Sequence, residues 1–391
     1  MALSERLRAI ISMIPGNKCT ADIGTDHGFV PISVVSEGIA EHAIASDVRK
    51  GPLTRAEAHI REAGLSDRID CRLGDGLSVL APGEAEVIVI AGMGGMLMTR
   101  ILGEAPETAG SARHLVLSPH RDEYELRTYL WDQGFVIEDE TMVREDGKYY
   151  PVIRTRKAGE GELAERGTRE QPAVQEFRFG PVLLRKRPAV FRDYLKELYR
   201  KTEAEIRHLK AQEASASVEH ALRKKMEELS VVREALIPAD PDRKLRIRKM
   251  TEEDLDALAE LLADPDVMQY LEEPYNRAKT ARFLKNAGLC DPPRIYAAEE
   301  DGRFAGYVIF HGYDEDSMEI GWVLRKESWG RGIASSLTEM LLESTFLMEK
   351  DAVIECDPAQ YATQHIALKY GFLREEDREG LAVYRLKRPQ T

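Results

Sequence analysis

The stretch Ala21-Asp22-Ile23-Gly24-Thr25-Asp26-His27-Gly28 decides how the first half of this chain folds. Its apolar opening reads as a buried strand, and Gly24 breaks that strand into a turn that closes at Gly28. A helical pattern, Phe29 to Gly38, follows at once. Glycine at the end of a first strand lets the backbone approach a bound ligand, because a Cβ there would collide with it. The following helix offers unpaired N–H groups to a carboxylate or other polar group. The three spaced glycines of a dinucleotide loop are missing, and the acidic residues of the turn would repel a pyrophosphate. Acid at such a turn suits a ligand with an amino group and a sulfonium, which points to S-adenosylmethionine rather than NAD.

Working outward, residues 1–157 alternate short apolar strands with helical patterns. The strands are Thr20–Ile23, His42–Ser46, Ile69–Arg72, Val87–Ala91, His114–Leu117 and Phe135–Val143, the last paired with Tyr149–Arg156. That alternation implies a mostly parallel, doubly wound α/β sheet with an antiparallel hairpin at its edge. Asp47 ends the second strand, where a carboxylate takes both ribose hydroxyls of a nucleoside. Asp75 lies between Gly74 and Gly76 after the third, placed for an adenine amino group. The fourth strand runs into Ile90-Ala-Gly92-Met93-Gly94-Gly95-Met96, a glycine-dense turn that brings bare backbone beside a ligand. Each turn alone also reads as an ordinary loop. Three acidic turns ending the first three strands of one sheet read as a site.

At 391 residues the chain is too long for one ordinary core, so two or three domains are expected. With 43% hydrophobic and 31% charged residues its composition is that of a globular protein. No apolar run reaches the roughly 20 residues a membrane helix needs. The opening MALSERLRAI is amphipathic and lacks the apolar core of a signal peptide. Cys19, Cys71, Cys290 and Cys356 lie far apart, which suggests neither a zinc site nor a disulfide framework and leaves the cytoplasm as the expected compartment.

The net charge of −13 argues against a polyanionic partner for the chain as a whole. Residues 185–210, RKRPAVFRDYLKELYRKTEAEIRHLK, run the other way, with basic residues outnumbering acidic ones about two to one. That segment reads either as a solvated helix of mixed charge or as an element that contacts a polyanion. Apolar spacing through Leu195, Leu198, Ile206 and Leu209, then Leu222, Met226 and Leu229, fits a helical hairpin turning near Ala214–Val218. Ala158–Val174 before it is polar and weakly patterned, an exposed connection. The expected domains are therefore 1–157, a linker and hairpin over 158–240, and a third part, 241–391.

The motifs ADIGTDHG, ASDVRKGPL, RLGDGL, IAGMGGMLM, LSPHRDEYELR and EDGKYYPVIR converge on one family. Together they resemble the bacterial tRNA (adenine-N1)-methyltransferases of the TrmK type over residues 1–235. The resemblance implies a Rossmann-like sheet, S-adenosylmethionine as cofactor, tRNA as partner and a target adenosine near position 22 in the D-arm region. It also implies that the coiled-coil hairpin is a tRNA-binding extension. Carried over, Asp22, Gly24, Asp26, His27, Asp47, Asp75, Gly76, Gly92, Met93 and Gly94 hold the cofactor. Where the family has Gln-Pro-Asn after the fifth strand, this chain has Ser118-Pro119-His120. Adenine N1 carries a lone pair, so catalysis is mainly positioning. Asp26 is expected to stabilise the methylated base or accept an N6 proton, and His120 to orient the base. Both His27 and His120 also read as hydrogen-bonded structural histidines.

The C-terminal part has its own loop. EIGWVLRKESWGRGIASSLTEMLLE (319–343) runs strand, short loop, then Trp329-Gly330-Arg331-Gly332-Ile333-Ala334 opening an apolar helix, a pyrophosphate-cradling arrangement. It resembles the Gcn5-related N-acetyltransferases (GNAT) over residues 244–388, an α+β fold. That implies acetyl-coenzyme A held by Gly330, Arg331, Gly332, Ile333 and Ala334. Trp329 stands where many members have Arg or Gln, and Leu368 where many have a tyrosine acid. Glu319 is the candidate general base, or alternatively a surface strand residue. The expected function is a tRNA adenine-N1 methyltransferase fused to an N-acetyltransferase of unnamed acceptor. The alternative is a small-molecule methyltransferase with an acetyl-coenzyme A sensor or docking domain.

Overall fold

The computed structural model describes residues 3–166, 171–213, 215–240 and 242–389, and the chain divides into two compact units, Met1–Phe191 and Arg192–Thr391.

The first unit is built on β1 (Asn17–Ile23), β2 (Ala40–Asp47), β3 (Ile69–Leu73), β4 (Val87–Met93), β5 (His114–Pro119), β6 (Phe135–Glu145) and β7 (Lys148–Lys157). Their order is β3-β2-β1-β4-β5-β7-β6. The first five are parallel and β7 is antiparallel to both neighbours. Each expected strand is present. β1 and β2 begin earlier than the apolar pattern, because Asn17 and Ala40 already pair although the side chains of Lys18 and Glu41 are exposed. Ile88 and Ile90 pack into one apolar layer and Val87 and Val89 into another. Helices thus cover both faces, as a parallel sheet requires. Strand order reverses between β1 and β4, so their C-terminal ends open a crevice between the flanking helices.

The expected exposed connection after β7 contains a short helix, Glu160–Arg166, beyond which 167–170 lie outside the described residues. Glu162 on that helix bonds Arg156 at 2.7 Å. Helices Val174–Phe179 and Pro181–Lys186 then return to the sheet through a buried ion pair, Arg127 Nε to Glu140 at 2.9 Å. Arg127 also donates to the carbonyls of Phe177 (3.1 Å) and Arg178 (3.0 Å). Glu140 accepts from the Val182 N–H at 2.9 Å. Gly180, with φ 96°, leaves room for that carboxylate, since a Cβ would stand 2.3 Å from its oxygens.

The second unit carries the helices Ala189–Lys210 (from its fourth residue onward) and Ala216–Leu236, the expected hairpin; Ala214 in its turn lies outside the described residues. Its sheet comprises β8 (Leu245–Arg248), β9 (Ile295–Glu300), β10 (Arg303–Gly312), β11 (Ser317–Leu324), β12 (Asp351–Cys356), β13 (Leu373–Arg374) and β14 (Ala382–Leu386), in the order β13-β14-β12-β11-β10-β9-β8. β11 and β12 pair in parallel at Ser317, Met318 and Glu319 and not beyond, so the strands part after Glu319. Between β8 and β9 a Thr251/Asp254 capping box leads into the helix Leu255–Ala263. The short helices Pro265–Met268 and Arg277–Phe283 follow, too brief to show a period in the sequence.

Removing one partner of a buried pair leaves the other charge uncompensated. Glu140→Gln is therefore expected to destabilise the first unit by roughly 3–5 kcal/mol, read as an earlier transition in denaturant unfolding followed by Trp131 fluorescence. A variant that unfolds like the parent would show that the pair contributes nothing.

Candidate active sites

A cleft of about 650 Å³ lies at the C-terminal ends of β1, β2, β3 and β4. Gly24 N–H and Thr25 N–H both donate to Ser46 O at 2.8 Å, tying the turn after β1 to the end of β2. Asp22 and Asp47 are thereby brought to one cleft, 7% and 5% exposed. Asp47 accepts from the Arg49 N–H at 2.7 Å. Asp22 has no cationic partner among the described residues; burial, opposed by a Thr25 hydrogen bond and helped by the Asp47 charge, pushes its carboxyl up to about 6. An acid held so close to neutrality in a cleft marks a functional site.

Gly24 (φ 82°) makes the closest approach, because a Cβ on it would lie 2.1 Å from Met93 Cε. Gly28 closes the turn as the left-handed N-cap of Phe29–Ser36, and its N–H bonds Thr25 Oγ1 at 3.2 Å. Asp75, Gly76, Gly92 and Met93 line the same cleft. Gly94 does not: it precedes the helix Gly95–Glu104 and packs on Arg121 and Asp122. Asp26 lines the cleft, half exposed and hydrogen-bonded to Arg55, which holds its carboxyl below the usual range. His27 lies 3.4 Å from Asp26 and stacks on Phe29 and His59, and its Nδ1 is buried without a partner.

His120 is set apart from the cleft lining, beside Met93, whose carbonyl accepts its N–H at 2.9 Å. Burial, with the Arg6 and Lys148 charges, lowers its pKa, which favours the neutral ring. It meets Tyr150 edge-on with centroids 5.4 Å apart, and the Arg6 guanidinium lies over the Tyr150 ring, 4.7 Å from its centroid. Arg6 lines the cleft, its backbone N–H bonds Glu145 at 3.3 Å, and its Nε is buried without a hydrogen-bond partner among the described residues. The sequence pattern gave no role to Arg6, and held Glu145 and Tyr150 only as part of the motif EDGKYYPVIR. Arginines spaced along the first helix were the available signal, but nothing local brings residue 6 beside residue 150.

In the second unit, Gly330 (φ 68°) and Gly332 (φ 82°) turn the chain into the helix Ile333–Leu347. The N–H of Ser336 is the first to return to the chain, at Gly332 O, 3.1 Å away. Gly330, Gly332, Ile333 and Ala334 line a mainly apolar cleft of about 710 Å³ with Trp322, Trp329 and Ile366. Arg331 points its side chain elsewhere, to Glu300 at 2.8 Å. Glu319 sits where β11 and β12 part, 3.3 Å from His311 Nε2, in an adjoining cavity of about 310 Å³. Burial raises its carboxyl pKa, with His311 opposing and Glu355 adding to the shift. Leu368 is exposed, and the nearby Tyr370 hydroxyl is taken up by Glu339 at 2.6 Å.

Residues 3–153 match the family described as a methyltransferase domain, and residues 244–373 that of an acetyltransferase (GNAT) domain. A tRNA (adenine(22)-N(1))-methyltransferase of Bacillus subtilis is 35% identical over 191 residues, spanning 49% of this chain and 79% of the relative. The crystal structure of the B. subtilis M1A22 tRNA methyltransferase TrmK is similar with TM-score 0.53 and 30% identity, over 60% of this chain and 98% of that one. Streptococcus pneumoniae Sp1610 in complex with S-adenosyl-L-methionine gives TM-score 0.52 and 28% identity, over 60% and 99%.

Gly24→Ala is expected to lower stability by about 1–2 kcal/mol through its left-handed backbone and to drive Met93 from its position. Gly38→Ala, at φ 70° with nothing within 4 Å, carries the backbone strain alone. Thermal unfolding of both, with a crystal structure of the first, checks this: an unmoved Met93 would contradict it.

Proposed function

Since the chain belongs to the tRNA (adenine(22)-N(1))-methyltransferase family, we propose that its first unit methylates N1 of an adenosine in tRNA. The observation that carries this reading is the pair of buried carboxylates, Asp22 and Asp47, at the ends of adjacent parallel strands in one cleft. The cleft fits S-adenosylmethionine by its donor set. Asp22 without a cation suits the amino and sulfonium charges, Asp47 the ribose hydroxyls and Asp75 the adenine amino group. The unpartnered Arg6 Nε supplies a donor for the carboxylate. When bound, S-adenosylmethionine supplies an electrophilic methyl group.

The chain's own part is orientation. Tyr150 and the neutral His120 form a polar-edged aromatic platform for the flipped base, whose N1 edge must be unpaired to react. Asp26, held ionised by Arg55, stabilises the positive charge gained by the product rather than accepting a proton. Exposed Val48, Met96 and Leu97 beside the cleft suit a large substrate better than a small metabolite. Arg192, Lys201, Arg207, Lys210, Arg223 and Lys224 on the hairpin are exposed and without an ion-pair partner among the described residues, which supports its contact with tRNA phosphates. Such a substrate places the reaction in the cytoplasm.

The second unit is an acetyl-coenzyme A-dependent N-acetyltransferase in this reading. The glycine turn before Ile333–Leu347 offers open N–H groups to the pyrophosphate, the apolar cleft takes the pantetheine arm, and Glu319 accepts the proton of the acceptor amine.

Incubating the protein with unmodified tRNA and S-adenosylmethionine, then analysing nucleosides by mass spectrometry, is expected to yield N1-methyladenosine; its absence sinks the reading. Asp22 adds a pH signature. Its folded pKa of about 6 lies above the unfolded value near ~4, so in the ligand-free protein its stability contribution is fully present below ~4 and lost as pH rises through 6. A cationic ligand has the opposite dependence, because it needs the carboxylate. Affinity for S-adenosylmethionine, measured by calorimetry, is expected to fall about tenfold per pH unit below 6 and to lose that slope in Asp22→Asn.

A further inference from the structure

The cavity holding Glu319 is distinct from the cleft lined by Gly330–Ala334 but shares Leu271 with it. Its floor is apolar: Leu262, Met268 and Tyr307 are buried, with Phe283 and Ile309 packed against them. Its polar groups fall into two sets. Glu319, 19% exposed, stands beside His311. Arg294 is exposed and has no side-chain partner among the described residues. Glu272, also at the cavity, is already paired with Lys279 at 2.8 Å.

We propose that this cavity is the acceptor site of the acetyltransferase and that the acceptor is a free amino acid with an apolar side chain. This rests on the acetyltransferase reading of the second unit. Glu319 takes the ammonium, Arg294 the carboxylate, and the aromatic and aliphatic floor the side chain. At about 310 Å³ the cavity lies at the small end of ligand sites, which favours a single amino acid over a peptide. The chemistry balances. The ammonium gives one proton to Glu319, which passes it to solvent. The amine nitrogen then forms the C–N bond as the thioester C–S bond breaks, and its second proton goes to the departing thiolate.

The test compares leucine, methionine and phenylalanine with their carboxamides by saturation-transfer NMR on the full chain without coenzyme. The free acids are expected to bind at least tenfold more tightly than the carboxamides, and Arg294→Gln to erase that ratio. Rates with acetyl-coenzyme A should follow the same order. Equal binding of acid and carboxamide, or a ratio that survives Arg294→Gln, overturns the proposal, as does acetylation of peptide N-termini in place of the amino acids. Calorimetry with acetyl-coenzyme A is run separately. No binding there overturns the acetyltransferase reading, even with the amino-acid preference intact.

Discussion

Two carboxylates removed from water beside one another, Asp22 and Asp47, are the constraint on which the first unit depends. Each alone would favour a looser, wetter loop. They are held because Gly24 and Thr25 give their N–H groups to Ser46 O, so the end of β1 cannot drift from the end of β2. Burial of like charge is unfavourable, and nothing in the fold of the sheet requires acids there. The sheet accepts this strain at the point where strand order reverses, which is where an open α/β sheet meets its ligand.

The buried pair Arg127–Glu140 is the useful contrast. There the charges face each other, and further hydrogen bonds run from Arg127 to the carbonyls of Phe177 and Arg178 and from the Val182 N–H to Glu140. A set of charges answered from within the protein in this way fastens residues 174–186 to the sheet. Arg6 Nε and His27 Nδ1 are the opposite case, buried atoms in one cleft with no hydrogen-bond partner among the described residues, beside an Asp22 that lacks a countercharge there. Completeness of hydrogen bonding separates structural from functional burial here better than burial itself does.

Much of this was legible in the sequence where local pattern and local chemistry coincide. The strands of the first sheet, the hairpin and the two glycine turns each announce themselves within a dozen residues. What escaped is what the fold assembles from afar. Arg6 and Tyr150 lie at opposite ends of the first unit's sequence, and no spacing rule relates them. Gly94 sits inside a cofactor-like motif yet packs on Asp122, because the strand's bulge ends at Met93 and the helix N-terminus begins. Arg331 sits in the second loop but spends its side chain on Glu300, leaving the glycines and the helix backbone to line the cleft. A motif gives the backbone path; side-chain direction depends on neighbours the motif does not contain.

Both units use one device, a positive-φ glycine turn delivering the chain from a strand into a helix N-terminus: Gly24 to Gly28 before Phe29, and Gly330 to Gly332 before Ile333. The backbone field at such a terminus favours anions in both cases. What differs is the flank. At the first turn Asp22, Asp26 and Asp47 bring enough negative charge to overrule the helix, and the cleft suits a cation. At the second, the lining is mainly apolar, with Trp322, Trp329 and Ile366, and the Lys326 and Asp266 charges answer each other, so the helix N–H groups stand open to an anion. The residues beside a glycine turn therefore set its polarity, and one local geometry carries opposite flanks in the two units.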